Sequence, residues 1–452
     1  MNIWNIYYKI EYLFITTISY IFYVLSLIPI PRLDFIQLYV LITFTIVGIF
    51  FYIKLRHPFW NVQPIYHSYD YWRRLYKTPF IIQKGLPLKT KFTDLINVAV
   101  IDLVNITDEH LKNCIDILQT SYIQSDKVLL TLEAKNLRSW ISGTGGTPLL
   151  SFYNDITYTI TENKEIIPKQ IPIGCMFSKP MTFYYLQTDN REDKKISEYI
   201  QVPIYYWDYI CILKEHKHKN FSRKIIQTAE YIQRMRNPEI QISIFCKELA
   251  LCEGVIPLVK YNSYTYYLRN ISVQKLPPHF IVAHVTQTSN KDLLANFLGG
   301  ISSPDMPKFF DIMCVSSLSN ILEMIKDWQL YCFCLRMGNN IYAVYFFKDE
   351  NVLYEDIEQG HTIRLIASVN NTTNNELFFA GFMHCIQMII KNNRKRKRFQ
   401  MIMIDETSHN KGILNIWNQK FSKIMETPSA YYSYNFFYPK TPILAEKFLV
   451  IQ

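Results

Sequence analysis

The sequence predicts a mixed α/β protein of two related halves that follows a pair of membrane-spanning helices. Three observations carry this prediction. Two uncharged stretches, residues 12–30 and 35–53, open the chain. Apolar runs typical of strands then alternate with segments of helical periodicity. Finally, the order helix, strand, Tyr-rich strand occurs twice, over residues 222–268 and again over residues 376–437.

Composition limits the class of protein. The chain has 452 residues and a mass of 53.7 kDa, which exceeds one ordinary hydrophobic core. With 49% hydrophobic and 19% charged residues, it is neither disordered nor a coiled coil. The formal net charge of +10 suits an anionic partner, such as a phosphorylated cofactor, a membrane surface or a nucleic acid. Nine cysteines without a CxxC pair indicate a reducing compartment rather than a disulfide scaffold.

The first 55 residues predict a transmembrane hairpin. Tyr12–Ile30 and Phe35–Ile53 are each long enough, at about 1.5 Å per residue, to cross a hydrocarbon core of roughly 30 Å. A short polar turn with prolines separates them. A cleaved signal peptide is disfavoured because no basic region precedes the first stretch. Two buried core helices remain the alternative interpretation.

Basic residues that follow the second stretch predict the orientation of the hairpin. The positive-inside rule places the rest of the chain in the cytosol, giving a two-span membrane protein with a cytosolic body. The residues concerned are Lys54, Arg56, Arg73, Arg74 and Lys77.

The body of the chain predicts two α/β halves. Ala99–Val104 suits a strand, and Thr107 then caps a helix with acidic residues in its first turn. A helix over residues 222–236 leads into a strand over 239–246, and the same order recurs at 376–392 and 399–405. We therefore expect an N-terminal half over residues 56–270 and a C-terminal half over residues 271–452.

A dense basic run, residues 394–398, joins the second of these helices to its strand. It lacks the interleaved aromatic residues of nucleic-acid surfaces, so a solvated turn, or one that faces anionic lipid headgroups, is favoured over nucleic-acid binding. No phosphate-binding Walker loop, GxGxxG, HExxH or GxSxG motif occurs in the chain. The histidines are scattered, and no metal site is predicted.

The segment Asp208–Leu213 is an apolar strand that runs through the basic loop Lys214–Asn220 into a helix. Free backbone N–H groups and the helix dipole make such a junction an anion-binding site. The spacing of Lys217, Asn220 and Ser222 is similar to the loop with which acetyltransferases of the GNAT class hold the coenzyme A pyrophosphate. A left-handed backbone is accessible to Asn220, which replaces a glycine of that loop.

Four segments, in order, resemble the protein N-myristoyltransferases, which consist of two tandem GNAT-like acyl-CoA N-acyltransferase folds. His57–Ile65 is similar to the family's FWxxQPV entry, and Tyr209–Ser222 aligns without a gap with FLCVHKKLRSKRVA. Ala430–Phe436 is similar to QYYLYNW, and Ala445–Gln452 resembles the terminal AEKxxLVLQ. The resemblance spans residues 57–452. It implies transfer of a myristoyl group from its CoA thioester to the N-terminal glycine of a protein, with myristoyl-CoA as co-substrate and no permanently bound cofactor or metal.

The resemblance also assigns catalytic roles. The base would be the terminal carboxylate, carried here by Gln452, whose low pKa of roughly 3.5 would rise on burial behind the apolar residues 448–451. A last edge strand is the alternative interpretation of that tail. The backbone N–H groups of Tyr209 and Ile210 would form the oxyanion hole, at a point where the strand is expected to bulge.

The same resemblance predicts the binding residues. The CoA phosphates would be held by Lys217, His218, Lys219, Asn220, Phe221 and Ser222, with Phe59 and Trp60 beside them. On the peptide side the residues are Asp126, the one carboxylate retained from an acidic loop, together with Tyr432 and Glu426. Because the acidic loop is depleted, acyl-CoA binding is a firmer expectation than peptide choice.

Two other functions are compatible with the sequence. One is a non-catalytic, membrane-anchored protein, binding acyl-CoA or serving as a virion structural protein on the same fold. The other is a GNAT acyltransferase that acts on a different amine, which the intact terminal segment disfavours.

Overall fold

The computed structural model describes residues 35–123, 128–160, 166–189, 196–269, 271–301, 303, 309–354, 360–393 and 396–452. The chain divides into two compact units, Met1–Asn61 and Val62–Gln452. They are described separately below.

The first unit contains one described helix, α1 (Phe35–Arg56). Its segment Tyr39–Arg56 is long and apolar enough to cross a membrane, and it is the one such helix among the described residues. The second predicted span is thus a helix, whereas the first, Tyr12–Ile30, lies outside the described residues. One candidate span is therefore present where the sequence predicted a pair. A 3-10 turn, Trp60–Val62, follows α1.

The second unit is a sheet flanked by helices. Its helices are α2 (Asp108–Ser121), α3 (Ala134–Ile141), α4 (Phe221–Arg236), α5 (Lys291–Ile301), α6 (Leu318–Lys326), α7 (Asn375–Asn393) and α8 (Asn410–Lys420). Its strands are β1 (Phe80–Ile81), β2 (Val98–Asp102), β3 (Val128–Leu130), β4 (Leu149–Ile160), β5 (Ile166–Asp189), β6 (Ile196–Ile212), β7 (Ile242–Glu248), β8 (Val259–Tyr267), β9 (Phe280–Val285), β10 (Ile312–Val315), β11 (Leu330–Met337), β12 (Asn340–Tyr354), β13 (Gly360–Asn370), β14 (Phe399–Asp405), β15 (Met425–Tyr434), β16 (Phe436–Phe437) and β17 (Phe448–Ile451).

One 15-stranded sheet organises this unit. Its main path runs β17-β10-β5-β6-β7-β15-β8-β14-β13-β12-β11-β9, with β4 joining β2 to β5 and β3 pairing with β12. Strands β1 and β16 form a separate two-stranded sheet. The mixed α/β architecture that the sequence predicted is therefore confirmed, and the strands form one large sheet.

The predicted repetition appears as two parallel strand–helix–strand units, β6–α4–β7 and β13–α7–β14. These two strand–helix–strand motifs are joined by strands that interleave between them. β15 lies between β7 and β8, and β8 lies between β15 and β14. The sheet consequently continues through the expected division near residue 270, and the boundaries of the two halves stay a prediction.

Two apolar clusters stabilise the sheet. One packs α2, α3, α5 and α6 against strands that include β4, β5, β6, β10 and β17. The other packs α7 and α8 against β11, β12, β13 and β14. Burial of this apolar surface is the main favourable term in the stability of the fold.

The described part of the basic run lies in the turn between α7 and β14, as expected. Its charges make intramolecular contacts. Lys397 Nζ lies 2.6 Å from Asp349 Oδ2 and 2.9 Å from Asn351 Oδ1. The Arg396 guanidinium lies 5.4 Å from the centre of the Trp328 ring. Lys397 therefore has a structural role, which the sequence analysis did not predict.

Candidate active site

The centre of the candidate site is a β-bulge in β6. On β5, Phe177 pairs with Asp208 and Cys175 pairs with Cys211, so two steps along β5 match three along β6. The extra residue falls at Tyr209–Ile210, and Tyr209 has a φ of +53°. A bulge inserts one unpaired residue and redirects the backbone locally. The bulge expected from the sequence is thus present at the expected position.

The sheet opens at the same position. The parallel ladder between β6 and β7 runs from Ile204–Ile242 to Trp207–Phe245 and ends there. Strand β6 nevertheless continues to Ile212. Past Trp207, the described β6–β7 ladder contains no further pairs, so the backbone of the bulge faces an opening in the sheet. A ligand can approach main-chain N–H groups at such a point.

One of the two predicted oxyanion donors is already engaged. The Tyr209 N–H donates to Asp208 Oδ1, with an N···O distance of 2.8 Å. Burial raises the pKa of Asp208 above its usual range, an effect that nearby Lys348 opposes. A substrate carbonyl at Tyr209 would therefore have to displace a carboxylate, which the sequence analysis did not anticipate.

Aromatic rings form one wall beside the bulge. The Tyr209 ring lies 5.4 Å from the Trp140 ring, 6.0 Å from Tyr122 and 6.1 Å from Phe177. Tyr122 is 41% exposed and Ile210 is 39% exposed. Desolvation nevertheless raises the pKa of Tyr122 well above its usual value. Tyr122 and Ile210 thus supply accessible surface beside the opening in the sheet, which we call the cleft.

The basic loop lies directly after β6. It forms a 3-10 helix, Lys214–Lys219, and Asn220 then adopts the left-handed conformation, with φ of +58°, before α4 begins. The first turn of α4 contains no acidic residue. The side chains of Lys217, His218 and Lys219 are exposed. This arrangement offers cations and a helix amino terminus to an anion.

Tyr153 and Lys224, which the sequence did not indicate as site residues, lie beside this loop. The Phe221 ring stacks on Tyr153 with a centroid distance of 4.1 Å. Lys224 Nζ lies 5.6 Å from the Tyr153 ring and 5.9 Å from the Phe221 ring. Ser222, between Phe221 and Lys224, is half-buried in the first turn of α4. An aromatic pair with a cation therefore lies beside the predicted phosphate loop.

The carboxyl end of the described chain also reaches β6. Strand β17 pairs in parallel with β10, and Gln452, which follows it, is only 8% exposed. Burial raises the pKa of the Tyr206 hydroxyl, and the neighbouring Gln452 side chain opposes this shift. Tyr206 stands three positions before Tyr209 on β6. The structure therefore brings Gln452 to the strand that carries the bulge.

A charge cluster lies around the buried side chain of Arg364, and no sequence pattern indicates it. Arg364 Nε lies 2.9 Å from Asp405 Oδ1, and Arg364 Nη1 lies 2.8 Å from Glu248 Oε1 and 3.7 Å from Glu350 Oε2. Burial raises the pKa of Asp405 and of Glu350, and Arg364 opposes this shift in both. The charges of Asp208, Glu248 and Glu350 also contribute to the raised pKa of Tyr122.

Two of the predicted peptide-side residues, Tyr432 and Glu426, lie on β15. Tyr432 is buried, stacks on Phe245 at 5.3 Å and accepts a hydrogen bond from the Cys252 N–H at 3.0 Å. Glu426 accepts from Asn262 Nδ2 at 2.9 Å and pairs with Lys423. Their assignment to substrate binding stays a prediction, and Asp126 lies outside the described residues.

Phe59 and Trp60 belong to the first unit. Their rings are in edge contact at 4.8 Å. Their predicted place beside the CoA phosphates stays a prediction. Within the described residues, no three His, Cys, Asp or Glu side chains come together as ligands for a metal ion.

Comparison with known proteins identifies the fold. No protein-family model and no curated protein sequence matches the chain. Its structure is similar to a crystal structure of Saccharomyces cerevisiae N-myristoyltransferase with bound myristoyl-CoA, with a TM-score of 0.61 and 12% identity over 86% of this chain and 94% of that one. A second crystal structure of the yeast enzyme, with bound myristoyl-CoA and inhibitors, gives 0.61 and 10% identity over 87% of this chain and 93% of that one. The predicted resemblance to N-myristoyltransferases is therefore confirmed at the level of fold.

Proposed function

We propose that the protein transfers a myristoyl or similar fatty acyl group from acyl-CoA to the N-terminal glycine amine of proteins. The observation that carries the proposal is the bulge at Tyr209–Ile210, located where β6 separates from β7 and immediately before the basic loop of α4. The likeness of the fold to yeast N-myristoyltransferase with bound myristoyl-CoA supports the choice of donor.

On the donor side, the CoA phosphates would bind the exposed cations Lys217, His218 and Lys219 and the amino terminus of α4. Asn220, Phe221 and Ser222 would shape that site, with Phe59 and Trp60 as further predicted contacts. The acyl chain would lie against Tyr122 and Ile210, because their exposed apolar surface is the natural partner of a fatty chain.

The reaction would need no covalent enzyme intermediate. The neutral acceptor amine would attack the thioester carbonyl carbon, and the carbonyl electron pair would move onto oxygen. Collapse of this adduct would break the C–S bond, and the positively charged nitrogen would pass its extra proton to the departing CoA thiolate, so that the products are the amide and the CoA thiol. The N–H groups of Tyr209 and Ile210 would stabilise the oxyanion once the Asp208 carboxylate had released Tyr209.

The proposed base is the carboxylate of Gln452. An α-amine has a pKa of about 8 and must lose a proton before attack. Gln452 is buried and its side chain neighbours Tyr206 on the bulged strand, which supports a position of its carboxylate near the bulge. Extension of the chain beyond Gln452 should then abolish turnover and leave acyl-CoA binding intact.

On the acceptor side, the charge cluster around Arg364 would act with Asp208, Glu248 and Glu350. Excess negative charge at these carboxylates would favour binding of an acceptor peptide whose amino terminus is cationic. Asp126, Tyr432 and Glu426 are retained as proposed peptide contacts.

Helix α1 supports a proposal of membrane attachment, with the catalytic unit on the cytosolic side. The first predicted span is part of that proposal. Lys54 and Arg56, in the last turn of α1, are consistent with this orientation.

The test of function is transfer of labelled myristate from myristoyl-CoA to a panel of Gly-initiated peptides. The double variant Lys217→Glu/Lys219→Glu should lose acyl-CoA binding and transfer together. The matched control Lys112→Glu/Lys135→Glu changes two exposed lysines on α2 and α3 and should retain both.

The second candidate function is non-catalytic acyl-CoA binding by a membrane-anchored or virion structural protein. The bond between Asp208 and the Tyr209 N–H favours it, since it occupies a donor that catalysis would need. Tight binding of myristoyl-CoA without transfer to any peptide of the panel would select this function. Absence of both binding and transfer would reject both candidates.

A further inference from the structure

A short segment after Asp70 presents large apolar side chains to the exterior of the second unit. It is a 3-10 helix, Tyr71–Leu75, that ends at Tyr76. Trp72 is 78% exposed, Leu75 71%, Tyr71 66% and Tyr76 55%. Four such side chains in six consecutive residues form an exposed patch, which in a soluble domain usually marks a binding surface.

The backbone of this segment is fixed, so the exposure does not reflect a loose loop. Arg73, at its centre, lies inward. Its Nη1 donates to the Ile65 carbonyl at 2.8 Å, and its Nε lies 2.7 Å from Asp70 Oδ2. The Tyr76 ring also contacts Phe80 at 5.3 Å. With Arg73 anchored, the side chains of Trp72 and Leu75 are held in solvent.

The charges of the segment have one sign. Arg74 and Lys77 are exposed, and residues 71–78 contain no acidic side chain. The Arg74 guanidinium lies 4.9 Å from the centre of the Tyr71 ring. Trp and Tyr with Arg and Lys are the residues enriched where protein meets the headgroup region of a bilayer, since their apolar bodies enter the boundary and their polar ends stay hydrated.

The position in the chain indicates which surface the segment meets. Candidate span Tyr39–Arg56 ends shortly before it. Fourteen residues, 57–70, separate the two in the chain and limit the distance between them to about 50 Å. We propose that the exposed face of Tyr71–Lys77 lies in the headgroup region of an anionic lipid bilayer and forms a second, peripheral membrane contact. This inference rests on the proposed attachment through α1.

The experiment uses the full-length protein in vesicles of zwitterionic lipid with added phosphatidylserine, whose acyl chains carry bromine or none. Bromine quenches Trp fluorescence on contact. We expect quenching that is largely lost in Trp72→Phe and retained in the matched control Trp328→Phe, which changes another partly exposed Trp. Replacement of Arg74 and Lys77 by Glu should reduce the Trp72-dependent quenching in the anionic vesicles.

The outcomes separate this inference from its premise. Protein that fails to enter vesicles would reject the attachment through α1 and the patch together. Protein that enters but shows equal quenching in wild type and Trp72→Phe would reject the patch alone. If position 72 can instead be cross-linked to a second copy of this protein, and Trp72 fluorescence is insensitive to bromine, the exposed face of Tyr71–Lys77 is a protein contact and the proposal is wrong. Myristoyl-CoA binding by each variant checks that it folds.

Discussion

Lys179 is the residue with the least expected environment. It is fully buried on β5, 4.8 Å from the Trp140 ring centre, and its Nζ is 3.8 Å from Met324 Sδ. Among the described residues, no carboxylate lies within ion-pair distance of it. Desolvation lowers the pKa of this amine well below its usual value, because the charged form is penalised in an apolar site.

Replacement of Lys179 by Met should therefore stabilise the protein. Below the usual lysine pKa of about 10.4 the unfolded chain binds a proton that the fold rejects, so the stability of the wild type falls as the pH falls. The advantage of Lys179→Met should be larger at pH 6 than at pH 9. Urea unfolding at both values measures it, with exposed Lys112→Met as the control. An equal advantage at the two pH values would contradict a lowered pKa of Lys179 in the folded protein.

The backbone conformation at Asn220 was predictable from the residue type alone. Its left-handed conformation was expected, since asparagine tolerates positive φ. Asn220→Gly should be nearly neutral, whereas Asn220→Ala should cost about 1 kcal/mol in free energy of unfolding. Thermal unfolding with Asn371→Ala as an exposed control tests this, and equal costs for Gly and Ala would argue against a strained backbone.

At the scale of the elements, Arg364 joins four strands. It lies on β13 and pairs with Glu248 on β7, Glu350 on β12 and Asp405 on β14. Removal of a buried partner leaves carboxylates without compensation, and Arg364→Met should cost about 3–5 kcal/mol. Exposed Arg138→Met, which loses its pair with Asp108, should cost about 0–1 kcal/mol.

The cost of Arg364→Met should also depend on pH. Without Arg364, the pKa values of Asp405 and Glu350 would rise further above those of the unfolded chain. Stability is then lost as the pH rises through the folded-state pKa values. Urea unfolding should show a larger deficit at pH 8 than at pH 5. A deficit that is the same at both would indicate lost packing rather than lost charge pairing.

The elements of the candidate site differ in how far the sequence predicts them. The bulged end of β6 and the basic loop are contiguous, so one local segment, Tyr209–Ser222, contains both. The Arg364 cluster draws single residues from four strands, and no local pattern indicates that they meet. The bond from the Tyr209 N–H to Asp208 depends on a side-chain rotamer, which periodicity does not specify.

At the scale of the whole molecule, the attachment through α1 leads to a simple expectation. Full-length protein should stay with membranes in alkaline carbonate, while a chain that begins at His57 should be released and folded. Membrane fractionation and circular dichroism measure this. Release of the full-length chain by carbonate would show that α1 does not cross a bilayer.

The repetition of helix and strand was predictable over residues 222–268 and 376–437, and the strand partners were not. The Tyr-rich segments 264–268 and 431–437, which fall largely in β8 and β15, were visible in the sequence. The sequence pattern carries no information on the neighbour of each strand. The interleaving that places β15 between β7 and β8 thus emerges only in three dimensions.

This interleaving has a consequence for synthesis of the protein on the ribosome. The position between β7 and β8 is filled by a strand from near the end of the chain, so the nascent polypeptide exposes two unpaired edges from the synthesis of β8 until that of β15. Pairing of such distant segments is slow, and open edges are prone to aggregate. We expect the newly made chain to depend on chaperones until β15 has emerged.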